Sequence, residues 1–94
     1  MDHLPSEELL ESVHAFPGVY QIRVIGLAAD QFEARVIEAV IAELSTPSEV
    51  DYVSRTTPGG RHISLTLDLT VQNPGQVRKI YERILDIEGV TLVL

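Results

Sequence analysis

Ninety-four residues, 45% of them apolar and 22% charged, can fill one core and leave no room for a second independently folding unit. Zero cysteines exclude a disulfide scaffold, a thiolate metal site and a cysteine nucleophile together. A net charge of −7 repels the phosphate backbone of a nucleic acid, and the longest uncharged stretch, Ser12 to Ile22, is too short and too interrupted to span a membrane. The first fifteen residues carry Asp2, Glu7, Glu8 and Glu11 but no Lys or Arg, the wrong charge for a secretory leader, so a cytosolic protein is expected.

Residues 1–16 read as an N-terminal extension with a short helix, ahead of a single domain over 17–94. Ser6 can cap that helix, and Glu7 and Glu8 favour the positive end of its dipole. Leu9, Leu10 and Val13 give it a narrow apolar stripe, and Phe16-Pro17-Gly18 ends it. Val19 to Ile25 alternates as a half-buried strand, with Tyr20, Ile22 and Val24 on one face and Gln21 and Arg23 on the other. Gly26 closes the strand, and Asp30 with Glu33 reads as a capping box. Phe32, Val36, Val40 and Leu44 then mark the apolar side of a helix, stopped by Ser45-Thr46-Pro47-Ser48.

Ile63, Leu65, Leu67, Leu69 and Val71 alternate strictly with His62, Ser64, Thr66, Asp68 and Thr70, a period of two with one buried face. Val50 and Tyr52 begin the partner strand, with Pro58-Gly59-Gly60 in the turn. Opposing Tyr52 to Leu65 and Arg55 to His62 leaves Thr57 to Gly60 as the loop. Asn73-Pro74, with Gln76 completing a capping box, opens a helix whose stripe is Val77, Ile80, Tyr81, Ile84 and Leu85. Gly89 introduces a last strand, Val90 to Leu94, with Val90, Leu92 and Leu94 expected inward.

Strand, helix, hairpin, helix, strand is the split βαβ order. Right-handed crossovers put both connecting helices on one side of the sheet. The expected architecture is a ferredoxin-like α+β sandwich (βαββαβ), with an antiparallel sheet ordered 4-1-3-2. One core is expected from Ile22, Val24, Leu65, Leu67, Val36, Val40, Ile80 and Ile84.

Phe16-Pro17, Tyr20, Arg23-Val24-Ile25-Gly26, Gly60, Ser64, Gln76, Tyr81 and the ending Val90-Thr91-Leu92-Val93-Leu94 resemble the YbeD-like family of small bacterial proteins, which carry a domain of unknown function. Glu8-Leu9-Leu10-Glu11 is similar to that family's leader. Arg23 stands where the family usually has lysine, and His62 where it often has tyrosine. The resemblance implies a fold similar to ACT regulatory domains, which bind amino acids and other small effectors, and brings no activity with it.

His62, Ser64 and Asp68 share one strand face and invite a hydrolase reading. Alternate strand residues sit roughly 6.5 Å apart, beyond nucleophile–base reach, so a solvated face with an Arg23–Asp68 ion pair is preferred. The histidines at 3, 14 and 62 have no metal-ligand spacing, and no metal or cofactor is expected. Base stacking would need aromatics where the open face has Gln21, Arg23, Ser64 and Thr66. Gly59-Gly60 lacks the strand-to-helix context of a phosphate cradle.

Two candidate surfaces remain. Gly26, Leu27 and Asp30 lie where an effector carboxylate could approach a helix start. Arg23, Arg55, His62, Ser64 and Asp68 form an open-face interaction surface. The leading expectation is a non-enzymatic regulatory or adaptor domain acting through an unidentified protein partner; the alternative is an ACT-like small-effector sensor. The uncharged last strand is an exposed edge, so a homodimer through it, or a leader laid across it, is expected.

Overall fold

The computed structural model describes residues 4–13, 15–44 and 50–94. His3, His14 and the helix stop expected at 45–48 lie outside the described residues. The elements are α1 (Glu7–Val13), β1 (Gly18–Leu27), α2 (Phe32–Ile41), β2 (Val50–Thr56), β3 (His62–Val71), α3 (Pro74–Leu85) and β4 (Val90–Val93). The four strands form one antiparallel sheet ordered β2-β3-β1-β4, the expected order. This is a ferredoxin-like α+β domain.

The inner positions of β1 and β3 meet across the sheet. Ile22 pairs with Leu67, Val24 with Leu65 and Tyr20 with Leu69, so the two alternations lock in register. Ile22, Val24, Val36, Val40, Leu65, Leu67, Ile80 and Ile84 are fully buried in one cluster, as expected. Leu10, Phe32, Leu69, Val71, Val77 and Tyr81 complete that cluster. The Tyr81 ring meets Tyr20 edge-on with hydroxyls 3.3 Å apart. Burial, then the Tyr20 hydroxyl, holds the Tyr81 phenol above its ordinary range.

The leader does not cover the last strand. The Leu9 amide donates to the expected Ser6 cap at 3.1 Å, and α1 lays Leu10 into the core beside α3. Arg78 donates to the carbonyl of Pro5 at 2.5 Å, fastening the chain ahead of α1 to α3. Leu9 and Val13 stay exposed. The helix layer offers Leu10 a larger apolar surface than the four-residue edge strand β4 could.

Three local expectations are corrected. First, Asp30 does not cap α2. Asp30 and Gln31 both lie in the left-handed region, with φ of 54° and 57°, and Gln31 is the cap residue with no side-chain hydrogen bond. The tight entry brings Phe32 to the first helical position. Its ring then packs over Gly26 and drives the turn. Strand β1 also continues through Gly26 to Leu27. At the other end, short i to i−3 bonds at Glu43 and Leu44 tighten the chain just past the helix.

Second, the hairpin pairs two residues further on than expected. Tyr52 faces Leu67, Val50 faces Leu69 and Arg55 faces Ser64. Thr57 supplies an extra closing pair, its amide donating to the His62 carbonyl at 2.9 Å and its Oγ1 accepting from the His62 amide at 3.2 Å. Gly59 and Gly60 then take φ of 95° and 75° in the turn, where glycine has no Cβ penalty. A shift of two keeps every side chain on its face, so Tyr52 remains on the helix side. It is not core, however. On the edge strand it stays 43% exposed and reaches Glu33 at 3.4 Å.

Third, β4 carries a bulge. Val90 pairs with Gly26, Leu92 with Ile25 and Val93 with Val24, leaving Thr91 as the extra residue. Val90 and Val93 therefore pack on the core, while Leu92 and Leu94 turn to the open face, 45% and 60% exposed. The inversion lets a four-residue strand bury two valines on either side of the irregularity.

Helix α3 opens as expected. Asn73 accepts from the Gln76 amide at 2.9 Å, with Pro74 in the first turn. The Gln76 carboxamide accepts from Gln72 rather than from Asn73, and donates to the Glu43 carbonyl at 2.7 Å. Arg83 pairs with the Glu43 carboxylate, tying α3 to the end of α2.

The two helix starts respond differently to substitution. Asn73→Ala loses a working cap and should cost about 0.5–2 kcal/mol. Gln31→Gly should instead gain roughly 0.5–1 kcal/mol, because relief of left-handed strain exceeds the added unfolded-state entropy. Urea midpoints of both variants check this, and a loss of about 1 kcal/mol for Gln31→Gly would restore the capping-box reading, in which Gln31 is helical.

Candidate functional site: the open sheet face and the start of α2

Parity along the strands sends Gln21, Arg23 and Ile25 of β1, His62, Ser64, Thr66 and Asp68 of β3, and Asp51, Val53 and Arg55 of β2 to the face without helices. Three zones result. Beside β4, Ile25, Leu92 and Leu94 form an apolar strip. At the far end Asp51 stands directly opposite Asp68. Between them Arg23, Val53, Arg55, Ser64 and Thr66 line a cavity of about 260 Å³.

The expected Arg23–Asp68 ion pair does not form. Gln21, not Arg23, is the cross-strand neighbour of Asp68, and its Nε2 donates to Asp68 Oδ1 at 3.0 Å. Arg23 sits opposite Thr66 instead. The corrected hairpin register likewise places Arg55 beside Ser64. Both arginines are exposed, and within the described residues neither guanidinium has a hydrogen-bond or ion-pair partner. Of the five residues lining the cavity, the interaction surface expected from sequence held Arg23, Arg55 and Ser64 and left out Thr66 and Val53, although both share the parity of Ser64. In the observed registers Thr66 stands opposite Arg23 on one side and Val53 on the other.

His62 and Ser64 share the face at alternate positions, and Asp68 is engaged by Gln21. No group of three His, Cys, Asp or Glu among the described residues is placed to hold a metal ion. No helix among them is long and apolar enough to cross a membrane.

The second surface lies where β1 runs into α2. A cavity of about 430 Å³ is lined by residues 28–33 and Ile63, and a neighbouring one of about 350 Å³ by Leu27, Ala29, Asp30, Arg35, Glu88 and Gly89. Leu27 and Asp30, two of the three residues named for an effector site, line this junction. Gly26 does not. A Cβ there would lie 2.2 Å from Phe32 Cζ and 2.8 Å from the Gly89 carbonyl oxygen, so the space a ligand could use is filled by the ring. Arg35 of α2 crosses the junction. Its Nε donates to the Asp30 carbonyl at 3.0 Å and its Nη1 to the Glu88 carbonyl at 2.8 Å, with the guanidinium 5.7 Å from the Phe32 ring centre. Nothing in the spacing of residues 30–35 signals that role, because both acceptors are backbone.

A family model described as "Protein of unknown function (DUF493)" matches residues 11–94. A UPF0250 protein of Shewanella sediminis is 34% identical over 88 residues, covering 94% of this chain and 93% of its own length. One of Chromobacterium violaceum is 30% identical over 88 residues, covering 94% of each. Among solved structures, a protein of H. pylori determined in solution superposes with a TM-score of 0.65 at 17% identity, covering 100% of this chain and 98% of that one. The ACT domain of a GTP pyrophosphokinase from Chlorobium tepidum gives a TM-score of 0.60 at 16% identity, covering 81% and 94%. At such identities the likeness is one of fold.

If Gly26 serves the Phe32 ring, Gly26→Ala should destabilise by about 1–3 kcal/mol through overpacking. Adding Phe32→Leu should recover part of that loss, a coupling that a double-mutant cycle in urea measures. Additive losses would separate Gly26 from the ring.

Proposed function

The chain belongs to the DUF493 family, proteins of unknown function that include the YbeD-like group it resembles, and on that premise we propose a non-enzymatic, cytoplasmic regulatory or adaptor domain acting through protein–protein contacts. The observation that carries this reading is the free edge of β4. Arg23 and Leu94 exchange both backbone hydrogen bonds, at 3.0 and 2.8 Å, so the antiparallel alternation turns the N–H and C=O of Val93 outward. Leu92 and Leu94 flank that outward pair on the open face. The opposite edge is blunted by Asp51 and Arg55 on β2. With α1 held on α3, the occupant that fits the β4 edge is a second copy of the chain, joined by a two-fold continuation of the sheet.

A second reading is favoured by the start of α2, which no side chain caps. The Phe32 amide donates to the Ala29 carbonyl at 3.1 Å, and the next amides of the first turn lie beside the junction cavity of about 430 Å³. In that reading the chain is an ACT-like sensor of an amino acid or related metabolite, whose carboxylate meets those amides and the positive end of the helix dipole.

Sedimentation of the chain and of Leu92→Glu tests the first reading. The expected outcome is a dimer that the substitution reduces to monomer at the same concentration. A wild-type monomer at the highest soluble concentration would remove the edge from the argument. The second reading is supported instead if an amino acid raises the thermal midpoint in proportion to the logarithm of its concentration, as ligand linkage requires.

A further inference from the structure

We infer that the open face holds an anion site for a small phosphate monoester, formed by Arg23 and Arg55 with the hydroxyls of Ser64 and Thr66. Adjacent strands lie about 4.8 Å apart and alternate residues of a strand about 6.7 Å, so Arg23 opposite Thr66 and Arg55 opposite Ser64 stand diagonally across β3, roughly 12 Å apart at the backbone and within reach of a shared anion for side chains of that length. Both arginines line one cavity of about 260 Å³ together with Ser64 and Thr66 of β3. A pair of like charges left without partners costs free energy, and in a chain of net charge −7 there are acids enough to neutralise them. The register withholds those acids. Gln21 takes Asp68, and Asp51 faces Asp68 at the level beyond Thr66 and Val53. An anion seated toward Ser64 therefore meets both arginines while lying further from the carboxylates.

The donor count selects the anion. Two guanidinium forks and two hydroxyls present roughly six donors, more than the four or so lone-pair sites of a carboxylate and a match for the three terminal oxygens of a phosphate monoester. Val53, 65% exposed on the rim, offers an apolar wall to the organic part of the ester. Arg23 borders Leu94 of β4, but the site rests on side chains facing β3 and not on the outward backbone of Val93, so it does not depend on the reading above.

The test is a titration of the whole isotope-labelled protein with inorganic phosphate, with ionic strength held constant by chloride and backbone amide shifts as the readout. Succinate provides the carboxylate arm, and an Arg23→Gln/Arg55→Gln double variant the site arm. Both arginines are exposed, so the double variant keeps the core intact. Saturable shifts confined to residues 23, 55, 64 and 66, weakened about tenfold or more in the variant as expected for lost charge-assisted hydrogen bonds, would support the site. Non-saturating shifts, unchanged affinity in the variant, or shifts centred on residues 28–33 would overturn it. Succinate binding as tightly as phosphate would overturn the choice of anion.

Discussion

The inner face of β3 is the surface on which the sheet and its core are organised, because it is the one strand paired on both sides by long partners and is buried from Leu65 to Val71. Leu65, Leu67, Leu69 and Val71 lie beneath the helices, and β1 and β2 take their registers from this strand. A slip of one residue would drive Ser64, Thr66 and Asp68 into an apolar layer where none could find a partner, at a cost comparable to the whole stability of a small domain. The polar row is therefore as fixed as the apolar one. The open face inherits its order from the core it is not part of.

Phe32 is the second fixed point. Its ring occupies the space over Gly26 and lies against the guanidinium of Arg35, which itself grips two backbone carbonyls from opposite sides of the β1–α2 junction. Two successive left-handed residues are tolerated because the packed ring and the stapled carbonyls together over-determine the turn. Strain here sits beside a cavity and at the start of a helix whose amides no side chain occupies.

The residues make the fold legible for a simple reason. Strict period-two alternation in β1 and β3, a working cap at Asn73, and one apolar stripe per connecting helix all point to the same topology. What they left undetermined follows from degeneracies in the code. Moving β2 by two residues preserves both faces, so hydrophobic pattern is silent and the Thr57 closure decides. Asp30 and Glu33 have capping-box spacing, but that motif cannot report that the Phe32 ring between them packs back over Gly26 and sets the backbone. Val-Thr-Leu-Val-Leu reads equally well in either parity. The open-face arginines were legible as exposed cations; their convergence over Ser64 and Thr66 needed the true register.

The bulge at Thr91 makes the chemistry of the outer face depend on pairing geometry as much as on side-chain identity. Deleting that single residue would restore regular pairing from Gly26 onward and keep Leu92 and Leu94 on the open face, whereas pairing Thr91 itself opposite Ile25 would turn Thr91 and Val93 outward and both leucines inward, the other three strands keeping their registers. The apolar strip is thus set by where the extra residue sits. Substitution alone would need several coordinated changes to reach the same surface.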